Sequence, residues 1–468
     1  MIRDENNVIS FVEFDKTDNW ESVFRICPGY LTEYAKERIR GINVKCVLIE
    51  TQYIDKDYRN TYSKFHSKKF VTPKERCIRL HLFSNLIDFE NPDSLIWQEH
   101  YSGYIILRPT LPNSIGRTLL SPELFINEKC YLCLCTENVM VNGIDMEIEG
   151  FPFISQDTDA TVCAQSSLWM LLRFFSNRYR WYKEIYPFDL TCLVKAHPQG
   201  RSFPGAGLTM VQMADALRDL SIAPLLYCKN QYGKDFFKYV YNYIESGFPL
   251  LLGLPEHVVV GIGHISDLTL TGSTSSYDFF QGIVINDDNG LPYAKITANK
   301  MDNPFNLTID QIDSFLVSLP EKVLLSAEQF EELVQELIPL FKKKGIVIPG
   351  FKRIFLTTGR SFKKKALKRY RDIPEVQKFY LKIPLPHFIW VCELSEPELY
   401  SKHLKCVGEI IWDATSNVFD SQFGLVIHLP EILIFNQGAA INSEADYCQI
   451  PVGNIPYSIY NNNLKEII

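Results

Sequence analysis

The segment Gln156 to Met170 reads Gln-Asp-Thr-Asp-Ala-Thr-Val-Cys-Ala-Gln-Ser-Ser-Leu-Trp-Met and sets Cys163 at the head of an apolar run with helical composition. Thiolate is the nucleophilic form of cysteine, and the positive end of a helix favours it, so a cysteine in a first helical turn is a candidate nucleophile. The carboxamide of Gln156, seven residues upstream, is a candidate donor to an oxyanion. A lone cysteine at a helix start is more often a small buried residue. The chain must therefore also supply a base and a group to orient it.

About ninety residues further on, Glu256-His257-Val258-Val259-Val260-Gly261-Ile262-Gly263-His264 is a β-branched run with a histidine at its entrance. Gly282-Ile283-Val284-Ile285-Asn286-Asp287-Asp288-Asn289-Gly290 follows. Both have strand composition. In the second, Ile283, Ile285 and Asp287 share one face, so Asp287 emerges where the strand ends and its carboxylate can orient an imidazole on a neighbouring strand. His264 is the competing histidine; seven residues of extended strand place it about 23 Å from His257.

Taken in this order, Gln156, Cys163, His257 and Asp287 resemble the papain-like cysteine peptidases, most closely the bacterial bacteriocin-processing branch. The valine run after His257 with Gly263 six residues on, Gly290 three residues after Asp287, and Gly207-Leu208-Thr209-Met210 with Gln212 and Leu217 resemble that family's segments. Two features depart from it: Ala164 stands where many relatives have glycine, and the gap from Gln156 to Cys163 is one residue longer than in papain. The resemblance spans residues 149 to 320.

It implies an α+β papain-like domain, a helical half followed by a sheet half, with the site in the cleft between them. It further implies that Cys163 attacks a carbonyl, His257 acts as base and then acid, and Asp287 holds the imidazole tautomer. Gln156 and the Cys163 backbone N–H would form the oxyanion hole. No metal or organic cofactor is required, and the substrate is a peptide or protein. The same residues serve acyl transfer or deamidation if an amine intercepts the thioester or ammonia leaves.

The flanking regions read as α+β accessory domains over residues 1–148 and 321–468. In the first, Asn43 to Thr51, Cys77 to Phe83 and Tyr104 to Leu107 have strand character, and Arg108 and Arg117 sit beside turns as salt-bridge formers or anion contacts. Between the flanks, helices are expected at Cys163 to Phe175, Leu208 to Leu220 and Lys234 to Ser246, then strands from Pro249 to Ile296. Pro204-Gly205-Ala206-Gly207 is a loop at the expected cleft rim. In the last region, Ala327 to Lys344 is an amphipathic helix with acids early and lysines late, matching the helix dipole.

A chain of 468 residues with 46% hydrophobic and 13% aromatic residues can fill several cores. The N-terminus lacks the pattern of a secretory signal, and no run is apolar enough to span a bilayer, so a cytoplasmic protein with free thiols is expected. Cys130, Cys133 and Cys135 have metal-like spacing, but no second ligand pair follows, and their run reads as a buried strand. The one strong charge asymmetry lies between Lys342 and Arg371: twelve Lys or Arg and no acid, in a chain of net charge −7. It is either a solvated face balanced by acids elsewhere or a surface for an anionic partner such as nucleic acid. That second possibility makes an interaction protein the alternative to an enzyme.

Overall fold

A computed structural model of the chain describes residues 9–14, 20–110, 115–157, 163–193, 207–298, 306–343, 345–417, 424–436 and 447–467. The expected rim loop at residues 204–206 lies outside them. The architecture is α+β.

The N-terminal region is a five-stranded antiparallel meander, Ile9–Glu13, Cys46–Tyr53, Cys77–Phe83, Tyr101–Leu107 and Ile115–Leu120. Side chains alternate across a strand, and here both faces are covered. Val47, Ile49, Leu80, Leu82 and Ile105 point into one core, whereas Cys46, Leu48, Phe83, Tyr104 and Ile106 point into another. The first of these cores also contains Leu168, Trp169 and Leu171 of the long central helix Cys163–Arg178. That helix is buried continuously from Ala164 to Phe175: its apolar residues enter the cores, and its buried polar residues include Ser167 and Arg173, which are hydrogen-bonded to Val258 and Asp57.

On its other side stands an eight-stranded sheet. Its main path runs Ala294–Thr297, Phe280–Asn286, His257–Ser266, Leu250–Leu254, Ser314–Pro320 and Ile222–Cys228, all antiparallel. Two short strands from the flanking regions complete it. Cys130–Leu132 pairs with the second half of His257–Ser266, and Lys465–Ile467 pairs in turn with Cys130–Leu132. The sheet thus crosses both boundaries read from the sequence, near 148 and near 320. Cys130, Cys133 and Cys135 are buried along this join, and burial pushes their thiols up to about 12.

A six-stranded antiparallel sheet from Phe351–Thr358 to Tyr447–Pro451 forms the last region. It packs one face on the helix Phe236–Glu245 and on the early part of Ala327–Lys343, and the other on Gly359–Arg369 and Pro374–Lys382. The basic segment belongs to this core. Phe351, Phe355, Phe362 and Tyr370, the aromatics interleaved with its basic residues, are fully buried and serve core packing. Arg353 is buried between Glu245 and Glu393, and Arg369 between Glu393 and Glu409, with N···O distances of 2.7 to 3.0 Å. Acids outside the segment neutralise its inner cations, while Lys343, Arg360, Lys364, Lys368 and Arg371 remain exposed. No helix among the described residues is long and apolar enough to cross a membrane.

Candidate active site

Cys163 is the first residue of the central helix and is half-buried. Its helix is fixed from two sides. Buried Asp57 accepts hydrogen bonds from Arg173 at 2.6 Å and Trp169 at 3.3 Å, while Arg117 bridges Asp55 at 3.2 Å and Glu137 at 2.8 Å. Arg117 is therefore a structural ion-pair former. One turn after Cys163, the Ser167 hydroxyl donates to the Val258 carbonyl at 2.9 Å, pinning the helix to the strand that begins at His257. Ser167 escaped the sequence reading because one serine in an apolar helix carries no signal of its partner.

His257 opens its strand directly after Glu256, whose φ of +59° is rarely adopted by a residue with a side chain. Such backbone persists where its surroundings over-determine it, and it is common at functional sites. The neighbouring strand ends at Asn286, and the register sets Val260 opposite Asn286. The residues after Asn286 therefore lie alongside His257. His257 Nε2 meets Asp287 Oδ1 at 2.9 Å. The same oxygen accepts the Asn289 backbone N–H at 3.0 Å, and the Gly290 N–H closes the turn onto the Asp287 carbonyl at 2.8 Å. Asp288 is the more distant carboxylate, 3.8 Å from His257 Nε2.

The imidazole has a second partner, the Cys163 thiol. Burial works against its protonation, but the hydrogen bonds to Asp287 and Cys163 and the charges of Asp287 and Asp288 outweigh it, holding His257 up at about 10. Asp288 is pushed up to about 7, chiefly by burial and also by Asp287, although the His257 and Arg38 cations oppose this. His264 is elsewhere. Its ring bonds Ser266 and Glu245, each at 2.8 Å, stacks on Tyr131, and borders a cavity of about 730 Å³ with Arg353, Lys365 and Tyr400.

Gln156 reaches the same cluster from a segment held by Arg108, whose guanidinium donates to the Ser155 carbonyl at 2.9 Å and the Gln156 carbonyl at 3.3 Å. The Gln156 amide nitrogen donates to Asn289 Oδ1 at 2.8 Å. A carboxamide nitrogen carries two N–H groups, and this bond engages one. Residues 158–162, between Gln156 and the helix, lie outside the described residues. Among the described residues, His257, Asp287 and Asp288 are the group whose donor atoms come within 4.8 Å of one another, close enough for a cation. A metal there would have to displace the bond between His257 and Asp287.

The four residues selected from the sequence thus come from four separate segments of the chain. Cys163 and Asp287 flank the same imidazole, and Gln156 joins them through Asn289. No family model, curated protein or solved structure matches the chain.

Proposed function

We propose that this chain is a papain-like thiol hydrolase that cleaves an amide bond in a peptide or protein. The observation that carries the reading is the imidazole of His257, held by Asp287 at 2.9 Å and hydrogen-bonded to Cys163 at the start of a buried helix. A nucleophile, a base within hydrogen-bond reach and a third group orienting that base are what covalent acyl chemistry needs. The Cys163 sulfur attacks the carbonyl carbon while its proton resides on His257. The tetrahedral oxyanion is met by the Cys163 backbone N–H and by Gln156. His257 then protonates the leaving amine as the C–N bond breaks, leaving a thioester. Water, deprotonated by His257, attacks the thioester and releases a carboxylate and the thiol. The chemistry uses no metal or organic cofactor.

The test is turnover of a mixture of unstructured peptides, followed by mass spectrometry, for the wild type and Cys163→Ala. Hydrolysis predicts new carboxyl termini that carry ¹⁸O from labelled water and vanish in Cys163→Ala. New isopeptides, or glutamine converted to glutamate with ammonia released, would turn the assignment to acyl transfer or deamidation. Equal turnover by Cys163→Ala would remove Cys163 from the chemistry.

A further inference from the structure

The helix Glu33–Arg40 carries Tyr34 and Arg38 one turn apart, so both side chains lie on one face. That face meets the turn after Asp287. The Tyr34 hydroxyl donates to the Asn289 carbonyl at 2.7 Å, and the Arg38 guanidinium lies over the Tyr34 ring at 5.5 Å. The helix's other ion-pairing groups are engaged elsewhere, Lys36 with Glu33 and Arg40 with Glu21. Arg38 differs from them. Its Nε, Nη1 and Nη2 are all buried and have no hydrogen-bond partner among the described residues. The carboxylates within coulombic reach of it are Asp287 and Asp288.

Asp288 mirrors this condition on the acid side: it is fully buried, no other side chain donates a hydrogen bond to its carboxylate among the described residues, and His257 Nε2 stands 3.8 Å away. A lone buried charge is strongly unfavourable, and a buried charge of opposite sign within coulombic reach offsets part of the penalty. Counting the groups around His257 gives two carboxylates, Asp287 and Asp288, against two cations, the imidazolium and Arg38. Cys163, Tyr34 and Gln156 complete the surroundings, and Arg108 lies behind Gln156 paired with Asp157 at 3.9 Å.

We propose that Arg38 is a positioning residue of the site: its guanidinium is the counter-ion of the Asp287–Asp288 pair and, with Tyr34, holds the turn that presents Asp287 to His257. The inference rests on the thiol hydrolase reading and deepens it. The N-terminal region then completes the active site instead of decorating it, and separating it from the rest of the chain disables the chemistry.

The test uses the full chain labelled with ¹⁵N-histidine, with the His257 ring signals assigned through His257→Gln and titrated from about pH 5 to 11.5. Removing a cation that faces carboxylates makes the imidazolium easier to keep, so Arg38→Met should raise the His257 midpoint by the order of one pH unit. Arg38→Lys should restore most of the wild-type value. In the Asp288→Asn background the same Arg38→Met substitution should move the midpoint less than half as far, because one of the two acids it balances is gone.

Iodoacetamide alkylation of Cys163 is measured in parallel and should change at least twofold in Arg38→Met and recover in Arg38→Lys. A folded Arg38→Met with unchanged midpoint and unchanged alkylation overturns the proposal. If Arg38→Met does not fold, Arg38→Met/Asp288→Asn should, since both orphan charges are then removed; failure of that double variant beside a folded Asp288→Asn overturns it equally. Absence of selective alkylation at wild-type Cys163 would sink the hydrolase reading, whereas the His257 titration would still judge Arg38.

Discussion

Truncating Asp287 tests how the site sets the charge of its histidine. In the native structure an imidazolium and a carboxylate meet at 2.9 Å, with side-chain exposures of 18% and 2%. A hydrogen bond to a charged group contributes a net ~1.5–3 kcal/mol in such surroundings. At ~1.4 kcal/mol per pH unit, that is about one to two units of the elevation that holds His257 at about 10. Asp287→Ala should therefore lower the His257 midpoint into the range of about 8 to 9. Asp287→Asn keeps an acceptor and loses the charge, so it should fall between the two. The assay is ¹H–¹⁵N correlation of the imidazole against pH. A wild-type midpoint near the ordinary 6.5 that Asp287→Ala leaves in place would refute the reasoning, because the hydrogen bond would then carry no electrostatic weight.

Stability should follow the same groups. His257 has a folded pKa above its unfolded value, so its stabilisation is complete below about pH 6.5 and is lost as pH rises through about 10. The Asp288 carboxyl is also raised, to about 7, so its contribution is present below about pH 3.8 and lost as pH rises through 7. Urea midpoints for Asp288→Asn should accordingly gain on the wild type between pH 4 and 7, and a constant difference would contradict the assignment. Gln156→Ala should lower kcat by about 10²–10³ through the oxyanion while leaving Cys163 alkylation, which forms no oxyanion, within about twofold; equal loss in both would make Gln156 a structural residue. Ser167→Ala removes the pin between the central helix and Val258, and should destabilise by about 1 kcal/mol in urea unfolding. Phe362→Ala should destabilise by roughly 3–5 kcal/mol as a core deletion; a loss under 1 kcal/mol would return that ring to the surface.

Much of the scaffold was legible because its signals are local. The apolar run after Cys163 gave a helix that extends to Arg178, and the acid-to-base gradient from Ala327 gave the helix Ala327–Lys343. The β-branched runs at His257 and Gly282 became adjacent strands, and alternation identified Asp287 as the nearer of two consecutive aspartates. What escaped depends on contacts distant in sequence. The Cys130 run was legible as a strand, but its pairing with Gly263 to Ile265 and with Lys465–Ile467 joins regions that composition separates, and three residues specify no partner or register. The approach of Tyr34 and Arg38 to Asn289 and the Asp pair spans about 250 residues, and an amphipathic helix looks the same whatever covers its face. The basic segment misleads for a related reason: its balancing acids, Glu245, Glu393 and Glu409, lie outside it. Gln156 was chosen for its donor, but its bond to Asn289 could not be foreseen without the fold.

The central claim, that Cys163 is a nucleophile activated by His257, meets its most direct measurement in competitive alkylation of all twelve cysteines at limiting iodoacetamide near pH 6, read by quantitative peptide mapping. Eight of the thiols are buried, and Cys192 is the exposed one, so access alone favours Cys192. Activation predicts the opposite order, with Cys163 labelled at least ten times faster than Cys192 and that lead abolished in His257→Ala. Faster labelling of Cys192 in the folded wild type, or a Cys163 rate unmoved by His257→Ala, would contradict it.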